Sequence, residues 1–254
     1  MTKILLHGCN GRMGRTIAEL VASKEDCRIL CGVDVTSRED ADFPVYTSFE
    51  AIPADKKPDV IIDFSHFSAL PALAAYAKQN RIPAVIATTG FSASDLDSIR
   101  ELSKHIAVFR SANMSVGICL LKNLVKKAAV FLGEDFDIEI VERHHNQKLD
   151  APSGTALAIA DAINEADNNK YEYIYDRHSR SAKRSKHEIG ISAVRGGNIV
   201  GDHDVIFAGN NEILEINHRA LSRGIFAEGA VRAALYIADK PAGMYDMDKM
   251  VEEL

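Results

Sequence analysis

The chain has 254 residues, 46% of them hydrophobic and 26% charged, with a net charge of −6. This is globular composition in a chain long enough to bury a sizeable core, in one domain or two. The acidic balance, with a pI near 5.9, argues against nucleic acid or an anionic membrane as partner, and no apolar run approaches the roughly 20 residues of a membrane-spanning helix.

The N-terminus, MTKILLHGCNGRMG, carries no targeting pattern. Cys9, Cys27, Cys31 and Cys119 form neither a CxxC nor a metal-ligand spacing, so reduced thiols and a cytoplasmic location are expected.

In chain order, 3–7 (KILLH) reads as a short strand cut off by glycine. A helix follows, with Met13, Ile17, Leu20 and Val21 on one stripe. Residues 28–35 (RILCGVDV) form a second run, and 59–64 (DVIIDF), 83–87 (PAVIA) and 106–109 read as buried strands, separated by helices over 68–80 and 92–104. Apolar strands alternating with amphipathic helices predict a doubly wound, Rossmann-like parallel sheet, class α/β. After about residue 113 the texture changes. A helix is predicted over 115–132, and 136–142 (FDIEIVE) alternates as a strand with one wet face does. Residues 188–216 hold short alternating segments between Gly-Gly, Gly-Asp and Gly-Asn-Asn turns, which predict an antiparallel meander. A last helix over 225–238 is expected to return to the first domain. The expected organisation is a dinucleotide-binding domain (1–112 plus 223–254) and an α+β domain (113–222) built on a mixed or antiparallel sheet, for substrate binding and oligomerisation.

Two regions carry chemistry. HGCNGRMGR places Gly8, Gly11 and Gly14 between a strand and a helix, where a backbone must turn sharply, approach a pyrophosphate and present helix N–H groups to it. The spacing is G-x-x-G-x-x-G rather than the usual G-x-G-x-x-G. Asp34 ends the next strand, where an acid accepts hydrogen bonds from a ribose and repels a 2′-phosphate; a turn-capping aspartate is the plainer alternative. Arg38 lies close enough in sequence to soften that repulsion. Thr88-Thr89-Gly90 and Ser111-Ala112-Asn113-Met114 follow strands and suit a nicotinamide and its ribose, or are simple turns.

The second region is ERHHNQKLDAPSGTAL, 142–157. Pro152 bars a helix from running back through Lys148, so 144–148 should be a loop. Ser153-Gly154-Thr155 presents hydroxyls and N–H groups at a helix start suited to a carboxylate. Lys148 adds charge, His145 a donor, and His144 with Lys148 makes two proton carriers. Metal ligation by the paired histidines lacks an HExxH spacing or cysteine cluster, and no metal is expected. Asp150 and Ser153 could equally be helix caps. The basic run 177–187 (RHSRSAKRSKH) has no interleaved aromatics and reads as a solvated loop near this site.

These motifs, with DVIIDFS, ATTGF, SANMSVG and VRGGNIVGDH, resemble the 4-hydroxy-tetrahydrodipicolinate reductase family over essentially the whole chain. The resemblance implies NAD(P)H-dependent reduction of a cyclic dicarboxylate imine on the diaminopimelate route to lysine, in a homotetramer. It implies His144 and Lys148 as catalytic groups, with His145, Ser153, Gly154 and Thr155 holding the ring carboxylates. Gly8, Cys9, Asn10, Gly11, Arg12, Met13, Asp34, Ala87, Thr88, Thr89, Ser111, Ala112, Asn113 and Met114 would contact NADH and/or NADPH, with NADH favoured by Asp34. Asn146 and Gln147 stand where some relatives are basic, and Val35 stands where many have an arginine. Another two-domain dehydrogenase, or a dinucleotide-sensing regulator, would explain the glycine turn but not the HHNQK…PSGT block.

Overall fold

The structure, a computed structural model, describes residues 1–253. It forms two compact units, Met1–Val116 together with Gly224 onward, and Gly117–Arg223.

The first unit begins β1(Thr2–His7), α1(Arg12–Ala22), β2(Cys27–Val33), β3(Val45–Tyr46). It continues β4(Val60–Asp63), α2(Leu70–Asn80), β5(Ala84–Ile86), α3(Ala93–Ser103) and β6(Ala107–Arg110). After the second unit the chain returns as α6(Gly224–Ile237), β12(Gly243–Tyr245) and α7(Met247–Glu252). The sheet order is β12-β6-β5-β4-β1-β2-β3, with every pairing parallel. Leu5, Ile61, Ile86 and Val108 pack against Leu73 of α2 and Ile99 and Leu102 of α3. On the opposite face Phe109 meets Tyr236 of α6 edge-on. Both faces are covered, and for that reason the strands are apolar throughout. Each fully buried aliphatic chain stabilises the fold by about 1.5–3 kcal/mol before entropy is counted. From β1 the chain winds outward to β2 and β3, then crosses back to β4 on the other side. The switch point, and with it the ligand crevice of such sheets, lies at the C-terminal ends of β1 and β4.

The second unit contains α4(Val116–Leu132), β7(Asp137–His144), α5(Gly154–Ala166), β8(Glu172–Ile174), β9(Glu188–Arg195), β10(Gly201–Ala208) and β11(Ile213–Ala220). Its sheet order is β11-β10-β7-β9-β8. β10 and β11 form the expected antiparallel hairpin, but the meander does not extend to β9. β7 lies between, antiparallel to β10 and parallel to β9. The 196–200 turn therefore passes over the end of β7, where Gly196 N–H donates to His144 O at 2.9 Å and Asn146 N–H to Gly197 O at 3.2 Å. Local alternation identifies strands but not their neighbours, which are chosen by long-range packing.

Ile138 and Ile140 of β7, Ile189 and Ile191 of β9, and Val205 and Phe207 of β10 form a core with Leu121 and Val125 of α4 and Ile159 and Ile163 of α5. Among the described residues no helix is long and apolar enough to cross a membrane.

Candidate active site

In the first unit the glycine turn is fixed by crowding. Gly8 has φ +80°, and a Cβ there would lie 2.5 Å from Phe64 O; one on Gly14 would lie 2.3 Å from Gly8 O. Only glycine fits such contacts. Gly8 N–H donates to Val33 O at 2.8 Å and Gly11 N–H to Gly8 O at 3.2 Å. Gly11 is the N-cap of α1 and has no side chain to cap it, so the first N–H groups of the helix look out past the turn, as an anion cradle requires. These residues fit a dinucleotide pyrophosphate.

Asp34, just beyond β2, accepts from Asn10 N–H and Val35 N–H, both at 2.8 Å. Its carboxylate therefore braces the turn, and each oxygen retains a lone pair for a ribose hydroxyl. Arg38 lies with Nε 3.0 Å from Asp40 Oδ1, so a neighbouring acid partly offsets its charge. At the adjacent strand ends, Thr88 donates its hydroxyl to buried Asp63 at 2.7 Å, and Ser65 does so at 2.6 Å. Ser111 donates to Asn113 O at 2.8 Å, and Asn113 Oδ1 accepts from Ser115 N–H at 2.9 Å. Cys9, Ala87, Thr88 and Met114 are buried, whereas Gly11, Arg12, Thr89 and Ala112 are exposed.

In the second unit His144 is not in a loop, as expected above, but is the last residue of β7. Residues 138, 140, 142 and 144 all point to the buried face, so strand parity carries the polar Glu142 and His144 inward with the isoleucines. Glu142 is completely buried and accepts four hydrogen bonds. Arg195 donates through Nη1 to Oε2 and Nη2 to Oε1, each at 2.8 Å; Ser153 N–H donates to Oε1 at 3.0 Å; and His144 Nδ1 lies 2.6 Å from Oε2. Burial pushes the Glu142 carboxyl up, but the Arg195, His144 and Ser153 partners outweigh it and hold it below the usual range. His203 of β10 packs edge-on to His144 with centroids 5.3 Å apart. Burial, followed by the neighbouring His144 charge, depresses its pKa to about 4.

Lys148 is half-buried, with Nζ 2.8 Å from Asp150 Oδ1. Asp150 is held below the usual carboxylate range chiefly by Lys148, with the backbone N–H of Gly154 also contributing. A carboxylate thus already pairs with the lysine four residues before the start of α5. Ser153 takes the capping position that was one of its two expected roles, and is only 2% exposed. Its Oγ caps α5 by accepting from Ala156 N–H at 3.1 Å and lies 3.2 Å from His203 Nε2. An N-cap side chain must face the helix it caps, which leaves the outer surface of the turn to Gly154 and Thr155. The side chain of His145 forms no hydrogen bond among the described residues.

The basic run 177–187 is neither free nor near this site. Arg177 donates to Glu188 at 3.0 Å and to Glu139, and Arg184 to Asp137 at 3.0 Å and to Ile138 O at 2.9 Å. These partners lie at the opposite end of β7 from His144, about 20 Å away at strand rise. Among the described residues no group of three or more His, Cys, Asp or Glu is placed to hold a metal.

Glu142, Arg195 and His203 escape a local reading of the sequence. The signal was present in part, since Glu142 continues the apolar register of Ile138 and Ile140, and a charge in such a register needs partners.

Residues 2–114 match the family model for the N-terminus of dihydrodipicolinate reductase, and 117–251 that for its C-terminus. The chain is 49% identical over 253 residues to the 4-hydroxy-tetrahydrodipicolinate reductase of Caldanaerobacter subterraneus subsp. tengcongensis, covering 100% of this chain and 99% of that one. It is 49% identical over 251 residues to the enzyme of the same name from Clostridium tetani, covering 99% and 97%. Among solved structures, a dipicolinate-bound dihydrodipicolinate reductase from Paenisporosarcina sp. TG-14 has a TM-score of 0.81 at 23% identity, covering 98% and 99%, and shares the fold. With identity near one half along the full length and both family models matched, the chain belongs to the dihydrodipicolinate reductase family, nicotinamide-dependent oxidoreductases that reduce 4-hydroxy-tetrahydrodipicolinate to tetrahydrodipicolinate in the diaminopimelate route to lysine.

Proposed function

We propose that the second unit performs this reduction with Lys148 and His144 as its proton-bearing groups, and that Gly154 and Thr155, helped by His145, hold the ring carboxylates. The observation carrying this reading is the Asp150 carboxylate, seated 2.8 Å from Lys148 Nζ. The lysine is already paired with a carboxylate near the start of α5, which supports the reading that an incoming ring carboxylate would replace Asp150 as its partner. Ser153 contributes by setting where α5 begins. Once the ring hydroxyl has left with a ring hydrogen as water, the conjugated ring accepts hydride; positive charge on Lys148 Nζ favours electron density moving toward the ring nitrogen, and a proton held there or on His144 completes the reduction. Fixing two carboxylates also orients the ring, which lowers the entropic part of the barrier.

The nicotinamide, when bound, supplies the hydride. Gly8–Met13, Asp34, Ala87–Thr89 and Ser111–Met114 would hold it. NADH is the favoured form: Asp34 repels a 2′-phosphate, and Arg38, beside Asp40, does little to offset that. We further propose a cytoplasmic homotetramer with a small dicarboxylate as substrate.

The test follows NADH absorbance, with the condensation product of aspartate semialdehyde and pyruvate as substrate. Lys148→Ala should lower kcat about 10²- to 10⁴-fold while NADH affinity is retained, and NADPH should give the lower kcat/KM with the parent protein. Near-normal turnover in the variant would refute the role of Lys148, and a strong NADPH preference that of Asp34.

A further inference from the structure

The Glu142–Arg195 pair is a costly thing to bury, since an apolar pair of equal volume is commonly as stable or more so. Its geometry points away from a purely structural role. Glu142 Oε2 lies 2.6 Å from His144 Nδ1, and a carboxylate carrying no proton can only accept. The hydrogen must therefore sit on Nδ1, leaving Nε2 as the exchanging atom. Gly201 packs against that edge of the ring, where a Cβ would lie 3.0 Å from Nε2 and crowd it. Arg195 is paired with His144 across the β7–β9 ladder, holds both oxygens of Glu142, and also donates to Asp150 O at 2.6 Å. One guanidinium thus joins the histidine's carboxylate to the turn that bears Lys148.

We propose that Glu142 is a positioning residue that fixes the ring and tautomer of His144, and that Arg195 limits how strongly Glu142 attracts a proton to that ring while anchoring the Lys148 turn. This rests on the reading of His144 as a proton carrier. The groups facing the ring are Glu142 on its own strand, Arg195 on β9 and His203 on β10, with Asp204 and His218 behind His203. A carboxylate beside an imidazole favours the imidazolium, and a cation disfavours it. The two partners should therefore act in opposite directions.

The first measurement is ¹⁵N NMR of the His144 ring in the unmodified protein above neutral pH, without substrate. The Nδ1–H tautomer is expected, and the Nε2–H tautomer would overturn the proposal whatever the fate of any variant. The second is the pH profile of kcat/KM for Glu142→Gln and Arg195→Gln. In Glu142→Gln the limb that falls with rising pH should move to lower pH, with kcat reduced at least about 10-fold and KM changed far less. In Arg195→Gln the limb should move to higher pH, and Arg195→Lys should restore much of the parent profile. Limbs moving the same way, or not at all, contradict the proposal. The role of His144 itself fails separately, if His144→Gln retains normal turnover while the parent shows the Nδ1–H tautomer.

Discussion

Lys148 and His144 each sit beside a carboxylate, but Asp150 is exposed and Glu142 completely buried. Asp150, on a surface turn, can give up its lysine at small cost, because an exposed ion pair is worth at most about 1 kcal/mol. Glu142, satisfied by four donors, cannot move without leaving a buried charge unpaired. The first pair suits exchange with a ligand and the second suits fixed geometry. His203 adds a pH dependence to this cluster. Its folded pKa, about 4, lies below the ordinary 6.5, so the unfolded chain takes up its proton first as the pH falls. Stability should be complete above about pH 6.5 and decline between there and about pH 4, by up to about 3 kcal/mol. Urea unfolding at stepped pH checks this. His203→Gln should flatten the decline across that window, and an unchanged slope would show that His203 is not its source.

At the scale of elements, the glycine turn and β7 do most of the placing. A methyl group on Gly14 would meet Gly8 O and Cys9 Cα at 2.3 and 2.6 Å, all backbone, with nothing flexible to give way. Gly14→Ala should therefore lose several kcal/mol of stability and at least about tenfold in NADH affinity, read by thermal melts with and without NADH. A parent-like melt and affinity would contradict the packing described. The turn was legible in the sequence because its three glycines, Gly8, Gly11 and Gly14, recur at a regular short spacing between a strand and a helix. The alternation of FDIEIVE likewise located β7, whereas its last residue, His144, was read as loop because polar side chains hide strand period. β3, β8 and β12 have two or three residues each, too few for any period to register. The partners of Glu142 on Arg195 and Ser153 are 53 and 11 positions away. Arg195 is brought there by sheet register and Ser153 by the return of the chain into α5, neither of which local spacing encodes.

At the scale of the whole molecule, each unit has its own core, and the residues assigned to cofactor and substrate lie on different units. If the protein is the proposed homotetramer, sedimentation equilibrium at neutral pH should give a mass near four times 27.8 kDa; a single-chain mass would remove that part of the proposal and leave the site unaffected. The central claim concerns where the dicarboxylate binds. A crystal structure of the protein soaked with pyridine-2,6-dicarboxylate tests it directly. One carboxylate should lie on the backbone N–H groups opening α5 at Gly154 and Thr155, within hydrogen-bonding distance of Lys148 Nζ, with Asp150 displaced from the lysine. A ring bound elsewhere, with the Lys148–Asp150 pair intact, would contradict the account.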